Sequence, residues 1–251
     1  MVKTTLRDRF RVTEECNSSR RLPGLHLGWS HEGWRKGCPE VCFGQPNQQI
    51  TGPDMHHSPR GTLFLWPDHW QVIGHLIPNR PHRHISASWL VGLDGPFRLQ
   101  VDGHWRTTSA ALVAPDVEQS LDPGGTRMWC AQLDPDSDFW RVLQHRLGDQ
   151  LSVDIPVIGA SLPSAVPGDC QAVWQALSSA VKQLGGQPEP MDRRVRKICD
   201  ELRSQLPDKV DVALLAQAVG LSSSRLSHLF RQQTGVTLRR FLLHLKMKLT
   251  R

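Results

Sequence analysis

The chain contains 251 residues, of which 39% are hydrophobic and 22% are charged, with a formal net charge of +6 at pH 7. This length is typical of two domains, and the composition excludes a chain that is disordered throughout. No apolar run reaches the roughly 18 residues that a membrane helix needs. The basic residues within positions 1–30 are not followed by the apolar block of a secretory signal. The sequence therefore predicts a cytoplasmic protein without a membrane partner.

The positive charge is concentrated in the C-terminal quarter. Residues 190–251 hold 13 Lys/Arg against 5 Asp/Glu, whereas the other 189 residues hold 17 against 19. From Val212 onward there are seven basic residues and no acidic residue. A cationic segment attached to a nearly neutral body indicates an anionic partner.

Residues 1–60 show weak periodicity, because Pro, Gly, His and Arg interrupt every apolar run, and they predict an irregular N-terminal extension. Thiolate and imidazole side chains in this region suit zinc: Cys38 and Cys42 lie near His26, His31, His56 and His57. The spacing of the two cysteines is loose, so free cysteines are favoured over a metal site.

Residues 61–135 predict short antiparallel strands. Phe97, Leu99 and Val101 alternate with polar residues, and Asp102-Gly103 then marks a hairpin turn. The other candidate strands are 62–66, 70–77, 86–91, 110–114 and 127–133. Turn residues at these short intervals indicate a small barrel or sandwich.

Helical periodicity begins in residues 136–184. Asp138 is the predicted N-cap of a first helix. A second helix over 170–184 carries an apolar stripe of Val173, Trp174, Leu177, Val181 and Leu184. This stripe would be buried either in an antiparallel homodimer or, with equal weight, against the chain's own barrel. Residues 185–190 are rich in Gly and Pro and predict a linker.

Beyond the linker, the pattern in residues 191–251 is entirely helical. Asp211 is placed to cap a short helix that Gly220 ends, and Ser222 is placed to cap the next helix. Two short helices separated by such a turn predict a helix-turn-helix. Thr237 begins a last helix whose apolar residues extend beyond one face, which indicates packing on the barrel, another subunit or a further segment.

The second helix of this motif predicts a DNA-reading surface. With its leucines and Phe230 facing inward, small and basic hydrogen-bonding side chains face outward. The candidate base contacts are Ser224, Arg225, Ser227 and His228. The candidate phosphate contacts are Ser222, Arg231, Gln232, Arg239 and Arg240. A solvated face of an ordinary helical bundle is the alternative, and the turn, the caps and the charge together disfavour it.

The run over 212–241 resembles the AraC/XylS family of bacterial transcription regulators. Its specific marks are Leu215-Ala216, Gly220, Ser222, Leu226, Leu229-Phe230 and Thr234-Gly235. The resemblance covers roughly residues 190–251 and implies sequence-specific binding to double-stranded promoter DNA. The family has two helix-turn-helix units, and the second is absent from these 251 residues, so the DNA-binding domain is expected to be incomplete.

Residues 61–135 are similar to the cupin barrel that such regulators use as a sensor. The resemblance places His82 and His84 in a first cupin motif and Gln119 where a metal-binding cupin has its last histidine. Because that histidine and the motif's glutamate are missing, the resemblance implies no metal, no other cofactor and no catalytic residue. A pocket for a small effector is expected instead, lined by His82, His84, Trp89, Trp105 and Gln119.

Together these features predict an α+β chain: an antiparallel cupin-like β-barrel, then helices, then a C-terminal all-α helix-turn-helix domain. The favoured function is that of a DNA-binding transcription regulator, not an enzyme, which senses a small molecule; a homodimer through 170–184 stays open beside packing of that helix on the barrel. One alternative is a protein that acts by heterodimerising with full-length relatives. Another is a cupin enzyme with a vestigial tail, which the missing metal ligands argue against.

Overall fold

The computed structural model of the chain describes residues 11–13, 40–43, 60–155, 170–185 and 190–249. We call the part up to residue 185 the N-terminal unit and residues 190–249 the C-terminal unit. Most of the predicted extension 1–60 and of the linker 185–190 lies outside the described residues. Cys38 and the four histidines near it also lie outside them.

All strand pairings in the N-terminal unit are antiparallel, as predicted. The described strands are β1 (Arg11–Thr13), β2 (Glu40–Phe43), β3 (Arg60–Trp66), β4 (His69–His75), β5 (His82–Arg83), β6 (Ala87–Gly92), β7 (Phe97–Val101), β8 (His104–Thr108), β9 (Ala110–Val113), β10 (Glu118–Asp122), β11 (Arg127–Leu133) and β12 (Ser152–Asp154). An eight-stranded sheet has the order β1-β2-β3-β4-β11-β6-β9-β12, and a four-stranded sheet has the order β5-β10-β7-β8. The arrangement is cupin-like, although the sheets do not close into one barrel.

The hairpin between β7 and β8 turns at Asp102-Gly103, the pair that predicts it in the sequence. Asp102 and Gly103 have φ angles of 49° and 81°, so both central turn residues lie in the left-handed region that a tight hairpin turn requires. The side chains of β7 alternate between buried and more exposed positions, because the outer face of the four-stranded sheet meets solvent.

Burial on both faces of the large sheet explains its continuous apolar strands. All residues of β6 and β9 are buried. One face of the sheet packs toward the four-stranded sheet around Leu99 and Leu121, and the other packs toward helices around Trp89 and Trp129. Two apolar layers therefore enclose the large sheet.

The helices of the N-terminal unit cover the outer face of the large sheet. They are α1 (Asp138–Leu143), a 3-10 turn (Gln144–Arg146) and α2 (Cys170–Leu184). The N-cap of α1 is Ser137, whose hydroxyl accepts a hydrogen bond from the N–H of Trp140 at 3.1 Å, so the expectation of an Asp138 cap was wrong by one residue. The apolar stripe of α2 is buried against the chain's own sheet. Of the two arrangements that the sequence leaves open for this stripe, a homodimer or packing on the chain's own sheet, the structure shows the second.

The C-terminal unit contains α3 (Arg193–Gln205), α4 (Val212–Ala218), α5 (Ser223–Thr234) and α6 (Leu238–Leu249). Residues at helical spacing from all four helices form a separate core, centred on Ile198, Leu226, Phe230 and Phe241. The last helix also faces the N-terminal unit. Its additional apolar residues Leu243 and Met247 line a cavity between that unit and α6. Within the described residues, no helix combines the length and apolarity needed to span a membrane.

Candidate nucleic-acid interface

The predicted helix-turn-helix is formed by α4 and α5. Asp211 caps α4, because its carboxylate accepts hydrogen bonds from two backbone N–H groups of the first turn at 3.0 and 3.1 Å. Gly220 follows α4 with a φ of 65°, a conformation that other residues rarely adopt. Ser222 then caps α5 by accepting a hydrogen bond from the N–H of Arg225. Local hydrogen bonds thus fix the turn between the two helices.

One side of α5 is buried and the other is exposed. Leu226, Phe230 and Thr234 are buried in the C-terminal unit, and the ring of Phe230 packs edge-to-face on that of Phe241. The exposed side carries all four predicted base contacts, Ser224, Arg225, Ser227 and His228. The helix therefore presents hydroxyl, guanidinium and imidazole groups to solvent, which are groups that can hydrogen-bond to base edges.

The hydroxyl of Ser227 has a restricted role. It donates a hydrogen bond to the backbone carbonyl of Ser223 at 2.8 Å. With its hydrogen engaged inside the helix, the oxygen can accept a further hydrogen bond but cannot donate one. In this rotamer Ser227 is suited to contact an amino group, such as those that cytosine and adenine present in the major groove.

The predicted phosphate contacts divide into two groups. Ser222, Arg231, Gln232 and Arg239 are exposed, and within the described residues neither Arg231 nor Arg239 has a carboxylate partner. Gln232 also borders a cleft between α5 and the N-terminal unit. Arg240 is different, because its Nη2 atom lies 2.7 Å from a carboxylate oxygen of Asp116 in the N-terminal unit.

A cluster of ion pairs, which the sequence did not reveal, joins the two units. Arg203 of α3 donates hydrogen bonds to Asp134 at 3.0 Å, to Asp136 at 2.9 Å and to the carbonyl of Pro67 at 2.8 Å. His244 of α6 lies 2.8 Å from the other carboxylate oxygen of Asp134. Burial opposes the charge of Arg203, but the carboxylates of Asp136 and Asp134 outweigh it and raise the pKa of Arg203. We call these residues the junction cluster.

Two more contacts hold α3 and α5 against the N-terminal unit. Arg196 of α3 donates to the carboxylate of Asp138 at 3.1 Å. The buried Arg141 of α1 donates to the carbonyl of Gln233, near the end of α5, at 3.2 Å. In the ion pairs that Arg196, Arg203 and His244 form, the acidic residues belong to the N-terminal unit and the basic residues to the C-terminal unit. The alternation of three aspartates over 134–138 was the sequence signal that could have indicated this surface.

The second candidate site is a cavity of about 590 Å³ between the two sheets. His82, His84 and Gln119, three of the five predicted effector contacts, line it. Trp89 instead faces the helices, where its ring packs edge-to-face on Trp129. Trp105 lies on the outer surface of the four-stranded sheet, 43% exposed, beneath the guanidinium of Arg98. Neither tryptophan lines this cavity.

The cavity also reaches the C-terminal unit. Four residues of α6 line it together with the two sheets: Arg240, Leu243, His244 and Met247. Leu243 and Met247 are each about half exposed, with relative exposures of 53% and 49%. A molecule in the cavity would therefore touch the helix that follows the helix-turn-helix.

A pair of histidines lies at the polar end of the cavity. The Nε2 atoms of His82 and His84 are 2.8 Å apart, and Nδ1 of His82 lies 2.8 Å from the carbonyl of Arg80. Burial, and then the charges that His82 and His244 would carry, lower the pKa of His84 to about 4. His84 is consequently neutral near pH 7. Within the described part of the chain, no group of three or more His, Cys, Asp or Glu is arranged to hold a metal ion.

Comparison with known proteins places the C-terminal segment in a family. Residues 202–243 match the family described as "Bacterial regulatory helix-turn-helix proteins, AraC family". The arabinose operon regulatory proteins of Escherichia coli (strain K12) and Salmonella typhimurium are each 55% identical over 49 residues, which cover 19% of this chain and 17% of theirs. The aligned segment thus spans less than a fifth of those relatives.

Comparison with solved structures gives matches to ToxT and to cupin-family proteins, with TM-scores below 0.5 for those described here. ToxT from Vibrio cholerae O395 aligns over 72% of this chain and 80% of its own, with a TM-score of 0.45 and 8% identity. An RmlC-like cupin from Methanocaldococcus jannaschii aligns over 36% of this chain and 93% of its own, with a TM-score of 0.28 and 10% identity.

The C-terminal unit therefore contains its helix-turn-helix, α4 and α5, within the segment that matches the family model. Residues 202–243 form an AraC-family helix-turn-helix. The family resemblance seen in the sequence is confirmed for this segment.

Proposed function

We propose that the chain is a sequence-specific DNA-binding transcription regulator in which the N-terminal unit senses a small effector. The observation that carries the proposal is the exposed side of α5, which presents Ser224, Arg225, Ser227 and His228 beside a turn fixed by two caps. In a helix-turn-helix, the second helix enters the major groove and its exposed side chains contact base edges. The family model that matches residues 202–243 covers this helix, and a 49-residue segment of the chain is 55% identical to an arabinose operon regulatory protein.

The charge of the C-terminal unit supports binding to DNA. Arg231 on α5 and Arg239 at the start of α6 have no carboxylate partner among the described residues and remain exposed. Arginines of this kind release counterions when they meet phosphates, which supplies much of the affinity of DNA-binding proteins. Because these residues flank the predicted base contacts, phosphate and base contacts can form in one orientation.

The cavity supports the sensing part of the proposal. A volume of about 590 Å³ lies within the range of small-molecule sites. Its lining joins both sheets to α6, so an occupant would interact with both units. We propose a sensory rather than an enzymatic role for this unit, since Gln119 contributes an amide, which is a poorer transition-metal ligand than imidazole. We place the protein in the cytoplasm, where promoter DNA is accessible.

Fluorescence anisotropy of the whole chain with labelled DNA tests the proposal. The DNA would come from upstream of the chain's own gene, with a scrambled duplex of equal length and composition as the control. We expect tighter binding to the native duplex that persists at moderate salt. Equal and salt-sensitive binding to both duplexes would contradict sequence-specific recognition.

Self-association is a separate part of the proposal. A homodimer through 170–184 has to use the outward, polar side of α2, where Gln171, Gln175 and Lys182 are exposed, because its apolar stripe is buried. Light scattering of the purified chain measures the oligomeric state directly. A dimer that Gln175→Glu dissociates would support this interface, whereas a monomer at all concentrations would contradict it.

A further inference from the structure

We infer that the cavity between the sheets takes an uncharged, mainly apolar molecule that carries a hydroxyl group, and not a carboxylate or an amine. The inference rests on the proposed sensing function and specifies the class of ligand. Three observations carry it: the pairing of the cations that line the cavity, the composition of its walls, and the hydrogen-bonding groups left open at its polar end.

Three basic side chains of the cavity lining, those of Arg240, His244 and Arg83, each already lie beside a carboxylate. Arg240 lies 2.7 Å from Asp116, and His244 lies 2.8 Å from Asp134. Arg83 lies 3.7 Å from Glu118. A ligand carboxylate would therefore bring an uncompensated negative charge into a largely apolar space, and this carries a large desolvation cost. A ligand ammonium would find each nearby carboxylate already beside a base, with Asp116 next to Arg240 and Asp134 next to His244.

The walls of the cavity are apolar over most of their area. They include Leu63, Leu65, Val72, Leu90 and Leu121 from both sheets. Cys130 belongs to the same wall, and burial raises the pKa of its thiol to about 12, so it stays uncharged. On the α6 side, Leu243 and Met247 extend this apolar surface. Such walls favour an alkyl or aromatic ligand body.

The polar end of the cavity offers neutral hydrogen-bonding groups. Gln119 is 5% exposed, and its amide nitrogen donates to the hydroxyl of Ser88 at 2.6 Å. Its buried Oε1 atom has no hydrogen-bond partner among the described residues. Since a buried acceptor without a partner is unfavourable, a ligand donor at this end would be stabilised.

His84 provides a second acceptor at the same end. The carbonyl of Arg80 can only accept, so His82 donates to it from Nδ1, and in the tautomer with one proton on each ring Nε2 of His82 accepts from Nε2 of His84. This leaves Nδ1 of His84 as an acceptor, with no partner among the described residues. On the α6 side, Nε of Arg240 is a buried donor without a partner there. A hydroxyl group can donate to the acceptors or accept from this donor without adding charge.

Three probes with the same eight-carbon chain test the inference: 1-octanol, octanoate and octylamine. Calorimetric titration of the whole chain would measure the dissociation constant of each. We expect octanol to bind at least about tenfold more tightly than either charged probe. Tighter or equal binding of octanoate would overturn the inference, since it would show that Arg240 exchanges Asp116 for the ligand. The absence of binding by all three probes would also overturn it.

A matched pair of variants tests whether the hydroxyl of octanol binds at Gln119. Gln119→Leu should weaken octanol binding about fivefold, because one hydrogen bond is lost, and should leave the weaker octanoate binding unchanged. Gln100→Leu is the control, because Gln100 lies on β7 and bonds only the turn carbonyl of Gly103. The comparison of the three probes on the unmodified chain remains decisive if Gln119→Leu does not fold. DNA binding measured without probes tests the regulator function by itself. A failure of that function can therefore be told apart from an error in the proposed class of ligand.

Discussion

Arg240 and Asp116 form an ion pair between the last helix and the N-terminal unit, with 2.7 Å between Nη2 and Oδ1. The sequence had predicted that Arg240 contacts a DNA phosphate. In the structure, Arg240 instead pairs with the carboxylate of Asp116. Asp116 is itself held at the cavity edge, because its N–H donates to the carbonyl of His84 at 2.8 Å and its carbonyl accepts from Arg83 at 3.0 Å. If DNA binds this surface as proposed, we expect Asp116 and a DNA phosphate to compete for the guanidinium of Arg240.

Replacing Asp116 by Asn should strengthen binding to DNA of any sequence, by about two- to fivefold at low salt. The variant removes the competing charge and releases Arg240 for a phosphate contact, which should also steepen the salt dependence by about one ion. Asn is a suitable replacement because Asp116 has a φ of 63°, and Asn tolerates this left-handed conformation better than Ala does. Anisotropy titrations at several salt concentrations would measure both effects.

Asp154→Asn provides the control for this charge change. Asp154 of β12 pairs with Arg106 of β8, and both residues belong to the N-terminal unit. An equal gain in DNA affinity for both variants would indicate a general effect of net charge, and the competition at Arg240 would then be refuted.

The elements that the sequence predicted correctly are those that depend on local hydrogen bonds. Asp211, Gly220 and Ser222 act within a few residues of their own positions, so a cap or a positive φ can be recognised from the sequence alone. The same holds for the Asp102-Gly103 hairpin. Even so, Ser137 and Asp138 are both good capping residues, and only the structure decides between them.

The features that the sequence did not predict depend on contacts between distant segments. Arg203 and Asp134 are 69 positions apart, and although the aspartates over 134–138 mark an acidic segment, the sequence does not indicate which basic residue it contacts. The position of Trp89 was equally undetermined, because every residue of β6 is buried and its pattern does not distinguish the cavity face from the helix face. Trp105 lies on the outside because the four-stranded sheet has one solvent face.

His228→Ala should weaken binding to the native duplex by about 1–3 kcal/mol and leave binding to the scrambled duplex nearly unchanged. A base contact contributes only where the correct base is present, whereas a phosphate contact contributes everywhere. Arg225→Ala should behave in the same way. Anisotropy with both duplexes separates the two roles for each residue.

The control for these substitutions is Arg98→Ala. It removes one positive charge from the outer surface of the N-terminal unit, where Arg98 packs over Trp105, and it should change neither affinity. A uniform loss of affinity in His228→Ala or Arg225→Ala would assign that residue to the phosphate backbone instead.

Arg203→Met should destabilise the chain by about 3–5 kcal/mol. The substitution preserves an apolar stem but leaves Asp134, which is fully buried, and the buried Asp136 without their main counter-ion. Chemical denaturation would measure the loss. Arg194→Met is the matched control, since Arg194 forms an exposed pair with Asp192 at the start of α3, and its loss should change the stability far less than the loss of Arg203. Equal effects of the two substitutions would contradict the importance of the junction cluster.

The last prediction concerns the pH dependence of stability. Burial, followed by the charges on His82 and His244, lowers the pKa of His84 to about 4 in the folded chain, against 6.5 for an unperturbed histidine. Between these values the unfolded chain binds a proton at His84 that the folded chain does not, so stability falls as pH falls.

The slope from this one residue should reach about 1.4 kcal/mol per pH unit below pH 6.5. His84→Asn removes the titrating ring, so its denaturation midpoint should fall less steeply than that of the unmodified chain between pH 6.5 and 5. Above pH 7 the difference between the two chains should be constant, because His84 is then neutral in both states. Urea denaturation at each pH would measure both curves, and parallel curves throughout would show that His84 titrates equally in the folded and unfolded chain.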